Sequence, residues 1–220
     1  WNFISCINYC NVKIKMKNKN VVVLGAGESG IGSAILAKKK GFNVFVSDVN
    51  KIKQEVKKTL NKHSISYEDG KHSSFNEDNA DLIIKSPGIS NESDIIKSLK
   101  SNKMKIISEI EFASRFTYST IIGITGSNGK TTTTILTYEI LKRAGLNVEI
   151  AGNIGNSFAK IVADKKFDYC VLELSSFQLD DIVNFSPKYA IITNITEDHL
   201  DRYQNNFDNY IKSKLRITKN

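Results

Sequence analysis

Two short glycine loops restrict this chain more than any other feature of its 220 residues. Gly25-Ala-Gly27-Glu-Ser-Gly30 follows the strand-like run Asn20-Val-Val-Val-Leu, and Gly126-Ser-Asn-Gly129-Lys130-Thr131 follows Thr120-Ile-Ile-Gly-Ile. Residues of helical character come next in both cases. A strand that turns through glycines into a helix is the first half of a βαβ unit. The helix N-terminus then presents free backbone N–H groups and a positive dipole end to an anion. Two such openings in one chain predict two parallel-sheet α/β layers, each with a phosphate-binding turn.

The remaining pattern agrees. In the first series the spacing predicts a helix over 30–40, stopped by Gly41, and a strand over 43–47 ending at Asp48. A charged helix over 51–62, a strand over 81–84 broken by Ser86-Pro87-Gly88, a helix over 92–100 and a strand over 105–107 follow. The second series predicts a helix over 130–143 ended by Gly145, strands over 147–151, 169–174 and 189–194, and helical spacing from Asn206 to Thr218. The expected fold class is α/β. A Rossmann-like parallel-sheet domain spans 16–118, and the first part of a P-loop ATPase-like domain spans 119–220, with the boundary near Tyr118. Residues 1–15 hold the only Trp and two of the three Cys and lack the pattern. They are expected to be a non-native or disordered leader ahead of Met16. The last helical stretch stops at Asn220 without a closing strand, so the second domain is expected to be unfinished.

Composition narrows the function classes. The net charge is +8, and most of the excess lies in residues 1–118, with 19 Lys+Arg against 12 Asp+Glu. Only four residues are Arg (Arg115, Arg143, Arg202, Arg216), and the basic residues are scattered lysines, which speaks against a nucleic-acid surface. No apolar run nears the roughly 18–20 residues of a membrane span. Three cysteines (Cys6, Cys10, Cys170) form no disulfide framework and no zinc spacing, and Cys170 reads as a core residue in a reducing compartment.

The loops carry the chemistry. The first has the G-x-G-x-x-G spacing, with Asp48 about 20 residues on, and fits a dinucleotide or another diphosphate such as a UDP-sugar. The second is a phosphate loop. Its backbone N–H groups and Lys130 suit β/γ-phosphates and Thr131 suits Mg²⁺, although Ile124 stands where the generic ATPase pattern has its first glycine. Glu173 ends a buried strand beside that loop and is placed to bind Mg²⁺. Asn153, in Gly152-Asn-Ile-Gly155, follows the strand after the phosphate-loop helix and reaches the same crevice. His199 lies just past another strand. His63 and His72 sit in polar surroundings and read as surface residues.

Taken together, Gly126-Ser-Asn-Gly-Lys-Thr, Gly152-Asn-Ile-Gly, Glu173-Leu-Ser-Ser-Phe-Gln-Leu and Thr196-Glu-Asp-His-Leu-Asp-Arg-Tyr resemble the Mur ligases, ATP-dependent amino-acid ligases of peptidoglycan synthesis. Glu-Leu-Ser-Ser-Phe-Gln-Leu and the first-domain Lys85-Ser-Pro-Gly-Ile favour the MurD type. The resemblance implies a three-domain cytoplasmic enzyme, monomeric and free of nucleic-acid or membrane partners. It would join D-glutamate to UDP-N-acetylmuramoyl-L-alanine through an acyl phosphate, with ATP and Mg²⁺ as cofactors. It makes Gly25, Gly27, Glu28, Ser29 and Gly30 a UDP loop, with Asp48, Ser86, Pro87 and Gly88 near the uracil. It assigns ATP to Gly126, Ser127, Asn128, Gly129, Lys130, Thr131 and Thr132. The catalytic set is Lys130, Asn153, Glu173, His199 and Lys214, and the metal ligands are Thr131, Glu173, His199 and Lys214, the last as a carbamate. The alternatives are another Mur-family or folylpolyglutamate-type ligase, a nucleotide-binding fragment without turnover, or an NAD-dependent dehydrogenase, in which the second loop has no role.

Overall fold

Among the described residues every strand runs parallel to its neighbours, as strands joined by helices or long crossovers can. The computed structural model describes residues 18–72 and 79–218. The expected leader at 1–15 lies outside them. The first sheet has the order β3-β2-β1-β4-β5, built from β1 (Asn20–Leu24), β2 (Asn43–Asp48), β3 (Ser66–Asp69), β4 (Leu82–Lys85) and β5 (Ile106–Ser108). The second has the order β7-β8-β6-β9, from β6 (Thr120–Thr125), β7 (Val148–Gly152), β8 (Tyr169–Glu173) and β9 (Tyr189–Ile192).

The apolar runs explain the layering. In β1, Val21 and Val23 join one hydrophobic cluster while Val22 and Leu24 join another, so this strand is covered on both faces. Helices α1 (Glu28–Lys39), α2 (Gln54–Lys62), α3 (Asp94–Ser101) and α4 (Glu109–Ser114) belong to the first series. Helices α5 (Lys130–Arg143), α6 (Phe158–Asp164), α7 (Ser176–Asp180) and α8 (Phe207–Leu215) belong to the second. The expectation omitted β3, α4, α6 and α7, each short, and ran the last helix on to 218, where the chain tightens into a 3₁₀ turn over Arg216–Thr218. Among the described residues no helix is long and apolar enough to cross a membrane.

The two series meet along α1 and α6. The meeting is close because Gly32 lacks a side chain: a Cβ there would stand 2.1 Å from Ser157 Oγ. One hydrophobic cluster runs through both halves and includes Ala34, Phe112, Phe158 and Leu172. Acids of the first half accept backbone N–H groups of the second. Glu28 Oε1 takes Ser157 N at 3.0 Å, and Glu109 Oε1 takes Ala159 N at 2.6 Å. Glu111 Oε2 takes the N–H groups of Val183, Asn184 and Phe185 at 3.0, 2.9 and 2.7 Å. Burial disfavours the Glu111 charge, yet Arg115 and those three donors hold its pKa below the usual value. Glu109 has no cation, and burial pushes its carboxyl up to about 7. Lys85 and Asp181 close the seam with a buried ion pair at 2.8 Å.

Candidate functional site

In the first sheet the strand order reverses between β1 and β4, and a crevice opens at the carboxyl ends of those strands, where open α/β sheets receive ligands. A cavity of about 730 Å³ lies there. Its walls include Gly25, Gly27, Glu28, Ser29, Asp48, Ser86, Pro87 and Gly88, all expected at a UDP site, together with Val49, Asn50 and His72. Gly30 stands behind the loop, where a Cβ would meet Gly25 O at 1.9 Å. The three glycines of the motif have separate physical reasons. Gly25 needs its φ of +91°, and Gly30 needs the close approach of the backbone. Gly27 needs neither: its φ is −75° and nothing lies within 4 Å of an added Cβ. The space over Gly27 is open cavity, so a side chain there would intrude only on what the cavity holds.

Asp48 fixes the loop from below. Its Oδ2 accepts Ala26 N at 2.7 Å and its Oδ1 accepts Asn50 N at 2.8 Å. Both carboxylate oxygens therefore hold backbone, and Asp48 reaches the cavity as a scaffold. Ser86 Oγ leans on Gly25 O at 3.4 Å. His72, expected at the surface, lines the cavity instead, with Nδ1 2.7 Å from Ser47 Oγ. The reason is β3, which carries the chain back to the sheet edge just before His72.

The second loop is held in place by side chains. It leaves the buried strand β6 at Gly126, whose φ is +150° and where a Cβ would stand 1.9 Å from Thr193 Oγ1. Ser127 Oγ donates to Thr196 O at 2.7 Å and accepts Thr196 N at 2.9 Å. Asn194 Oδ1 accepts Asn128 N at 3.0 Å, and Thr193 Oγ1 donates to Asn128 O at 2.6 Å. Gly129, at φ +79°, caps α5, so Lys130, Thr131 and Thr132 form its first turn, with both threonines exposed. Lys130 Nζ donates to Gly126 O and Ser127 O, each at 2.8 Å. Lys214 Nζ donates to the same Gly126 O at 2.8 Å and lies 4.5 Å from the centre of the Tyr210 ring. Lys214 is only 2% exposed, and burial, with the Lys130 charge second, pulls its pKa down to about 8. Tyr210, which sequence reasoning passed over, approaches Ser127 Oγ at 3.1 Å.

Glu173 ends β8, next to β6, and is 1% exposed. Its Oε1 accepts Asn153 Nδ2 at 2.9 Å, and Asn153 N donates to Glu173 O at 2.9 Å, so these two expected residues meet. Glu173 Oε2 is buried, with no hydrogen-bond partner among the described residues. A buried orphan carboxylate oxygen costs a few kcal/mol unless something fills its coordination, about 1–3 by mutational measure. A hard divalent cation is the natural occupant, and Mg²⁺ needs only one or two protein carboxylates when phosphates and waters supply the rest. Glu173 and Thr131 fit that demand. His199 has aromatic and acidic neighbours. Its ring lies 5.4 Å from that of Phe177, and its Nε2 is 3.6 Å from Asp198 Oδ2. Among the described residues no group of three or more His, Cys, Asp and Glu is gathered as a metal cage. The segment Glu173-Leu-Ser-Ser-Phe-Gln-Leu supplies the platform under His199. Ser175 caps α7 in a reciprocal box with Gln178, and Phe177 stacks on Tyr203 and takes the Arg202 guanidinium at 4.5 Å.

Comparison with known proteins matches this arrangement. A family model for the MurD N-terminal domain covers residues 20–95, and one for the Mur ligase middle domain covers residues 124–220. The chain is 56% identical over 202 residues to a UDP-N-acetylmuramoylalanine–D-glutamate ligase of Bacteroides fragilis, covering 92% of this chain and 46% of that protein. It is 40% identical over 210 residues to the ligase of the same name from a Geobacter species, covering 94% and 46%. The chain thus spans about half the length of the curated relatives it matches. Among solved structures, the UDP-N-acetylmuramate–alanine ligase MurC of Thermotoga maritima shares the fold with a TM-score of 0.57 at 24% identity, over 92% of this chain and 47% of that one. UDP-N-acetylmuramate:L-alanyl-gamma-D-glutamyl-meso-diaminopimelate ligase from Neisseria meningitides does so with a TM-score of 0.60 at 20% identity, over 91% and 68%. Two family domains in succession, on two parallel sheets with two glycine loops, identify the chain as a member of the Mur ligase family with a MurD-type N-terminal domain.

Proposed function

We propose that this chain is the UDP-substrate and ATP-handling part of a D-glutamate-adding ligase acting on UDP-N-acetylmuramoyl-L-alanine in the cytoplasm. The first domain, 16–118, takes the UDP moiety in the cavity over Gly27. The second, from 119 onward, takes ATP at the Gly126–Thr132 loop. Mg²⁺ supplies neutralisation of phosphate charge when bound, with Thr131 and Glu173 as its protein ligands. Lys130 exchanges two carbonyl partners for phosphate oxygens, a better match for an ammonium group. The carboxylate of the alanyl substrate takes the γ-phosphoryl group as the β–γ bond of ATP breaks and ADP leaves; the neutral amine of D-glutamate then attacks the acyl carbon, and inorganic phosphate leaves as the nitrogen gives up a proton. Asn153 orients Glu173 and faces the same crevice. His199 and a carbamylated Lys214 are assigned to a second metal. The buried Lys214, with its lowered pKa, has the neutral-amine population that reaction with CO₂ requires.

The observation that carries this reading is the buried, unpartnered Glu173 Oε2 beside the phosphate loop, in a chain that keeps a separate diphosphate-shaped crevice on its other sheet. Calorimetric titration with Mg·ATP and, separately, with UDP-N-acetylmuramoyl-L-alanine tests it. Lys130→Ala is expected to lose ATP binding and to leave the UDP compound within about twofold, while Gly27→Val does the reverse. A single variant that abolished both would break the two-site assignment. The same Lys130→Ala change in the enzyme extended to its relatives' full length should stop phosphate release in the presence of D-glutamate.

A further inference from the structure

On the first sheet, three side chains form a relay that none of the assigned roles uses. Ser47, fully buried at the end of β2, donates to Glu68 Oε1 at 2.8 Å. Its alternative acceptor, Lys71 O, is at 3.4 Å. A hydroxyl has one proton, and in either case that proton is spent. The Ser47 oxygen, 2.7 Å from His72 Nδ1, can therefore only accept from the ring, so Nδ1 carries the hydrogen. In the neutral ring this leaves Nε2 as a hydrogen-bond acceptor of fixed tautomer.

His72 shares its stretch of cavity wall with Val49 and Asn50, on the β2–β3 side of the glycine loop. Val49 is 59% exposed, an apolar side chain left open at the cavity. An imidazole acceptor beside an apolar face suits a flat heterocycle that carries an N–H donor on its edge. In the UDP reading, with the diphosphate over Gly27 and the uracil near Asp48, the nucleoside end falls on this side of the cavity.

We propose that His72 is a specificity-determining residue for the nucleobase. Its Nε2 accepts the N3–H of a uracil-type imide whose ring lies against Val49, and Ser47 and Glu68 are positioning residues that hold the imidazole in the accepting tautomer. The inference rests on the reading of this cavity as the UDP site. It excludes cytosine on chemical grounds, since unprotonated cytosine has no hydrogen on N3 and would set one acceptor against another.

Calorimetry on the 220-residue chain with UDP, CDP and 3-methyl-UDP, in which a methyl group replaces the N3 hydrogen, provides the test. The unsubstituted chain should prefer UDP to either analogue by about tenfold, the worth of one well-placed hydrogen bond. His72→Ala should lose that preference by weakening UDP alone. His72→Gln, which keeps an acceptor, should retain part of it, and Ser47→Ala, which frees the tautomer, should lower it by about threefold. Ratios of affinities on one preparation are insensitive to the fraction folded, so a destabilised variant still reports. An unchanged UDP to 3-methyl-UDP ratio in His72→Ala overturns the role of His72 and leaves the UDP site standing. Failure of UDP to bind the folded, unsubstituted chain overturns the UDP reading and the inference with it.

Discussion

The two glycine loops occupy equivalent places on their sheets and are built in opposite ways. The first is held by one carboxylate, Asp48, which takes backbone N–H groups on either side of it and leaves Gly27 facing open space. The second is sewn by Thr193, Asn194, Thr196 and Tyr210 to the segment after β9 and to α8, and two lysines share its first carbonyl. A loop fixed from below by charge keeps its upper face for a ligand. A loop laced to neighbouring segments holds the Lys130 ammonium in place, so that an incoming polyanion meets positive charge already positioned and only exchanges partners. The difference agrees with the proposed division, in which the first half holds a ligand and the second receives a polyphosphate.

Substitutions can break this contrast. The largest effect is expected at Gly126→Ala. A positive φ and a Cβ 1.9 Å from Thr193 Oγ1 should together cost about 3 kcal/mol or more, seen as a lowered denaturant midpoint. A neutral outcome would mean that the lacing of the second loop is slack. Next is Asp48→Ala, which orphans two backbone donors and should cost about 2 kcal/mol while weakening UDP binding. If stability fell but UDP affinity held, the charge would shape the fold and not the ligand face.

A smaller effect belongs to the seam. The raised Glu109 pKa means that the folded chain binds a proton more tightly than the unfolded one. The stability this contributes is full below about pH 4.5 and is lost as pH rises through about 7. Glu109→Gln should therefore raise the melting temperature at pH 8 and not at pH 4. Equal gains at both would assign the effect to packing, and altered affinity at either loop would show that the seam and the loops are not separable. The smallest effect on stability is expected at Gly27→Ala, within about 0.5 kcal/mol, with the UDP affinity lowered nonetheless.

Much of this was legible in the sequence because hydrophobic runs and glycine turns are local signals. The strands β1, β6 and β8 and the helix α5 follow directly from them. What was not legible depends on distant partners. Ser66-Tyr-Glu-Asp is a polar edge strand with no periodic signature, and missing it sent His72 to the surface. The short helix α6 matters because of α1, and the part played by Glu109 and Glu111, on the unpredicted α4, shows only when the N–H groups they accept are brought over from the other half. Asp48 lies in the cavity wall, but that its oxygens serve backbone follows only from the fold of the loop. Glu173 and Asn153 were singled out from strand ends alone. Their direct hydrogen bond brings together residues that lie 20 positions apart.

Gly32 carries a consequence for how this sequence can drift. A Cβ there would lie 2.1 Å from Ser157 Oγ and 3.0 Å from Lys160 N, so something in the crossing of α1 over α6 must give way to it. Any other residue must turn the Ser157 hydroxyl away from its cap on Lys160 N or push the helices apart and lengthen the Glu28–Ser157 contact that rides on them. The distance between the first glycine loop and the loop bearing Asn153 is thus tied to a missing methyl group. A lineage that gained one at position 32 could keep both loops intact, motif for motif, and still lose the spacing between them.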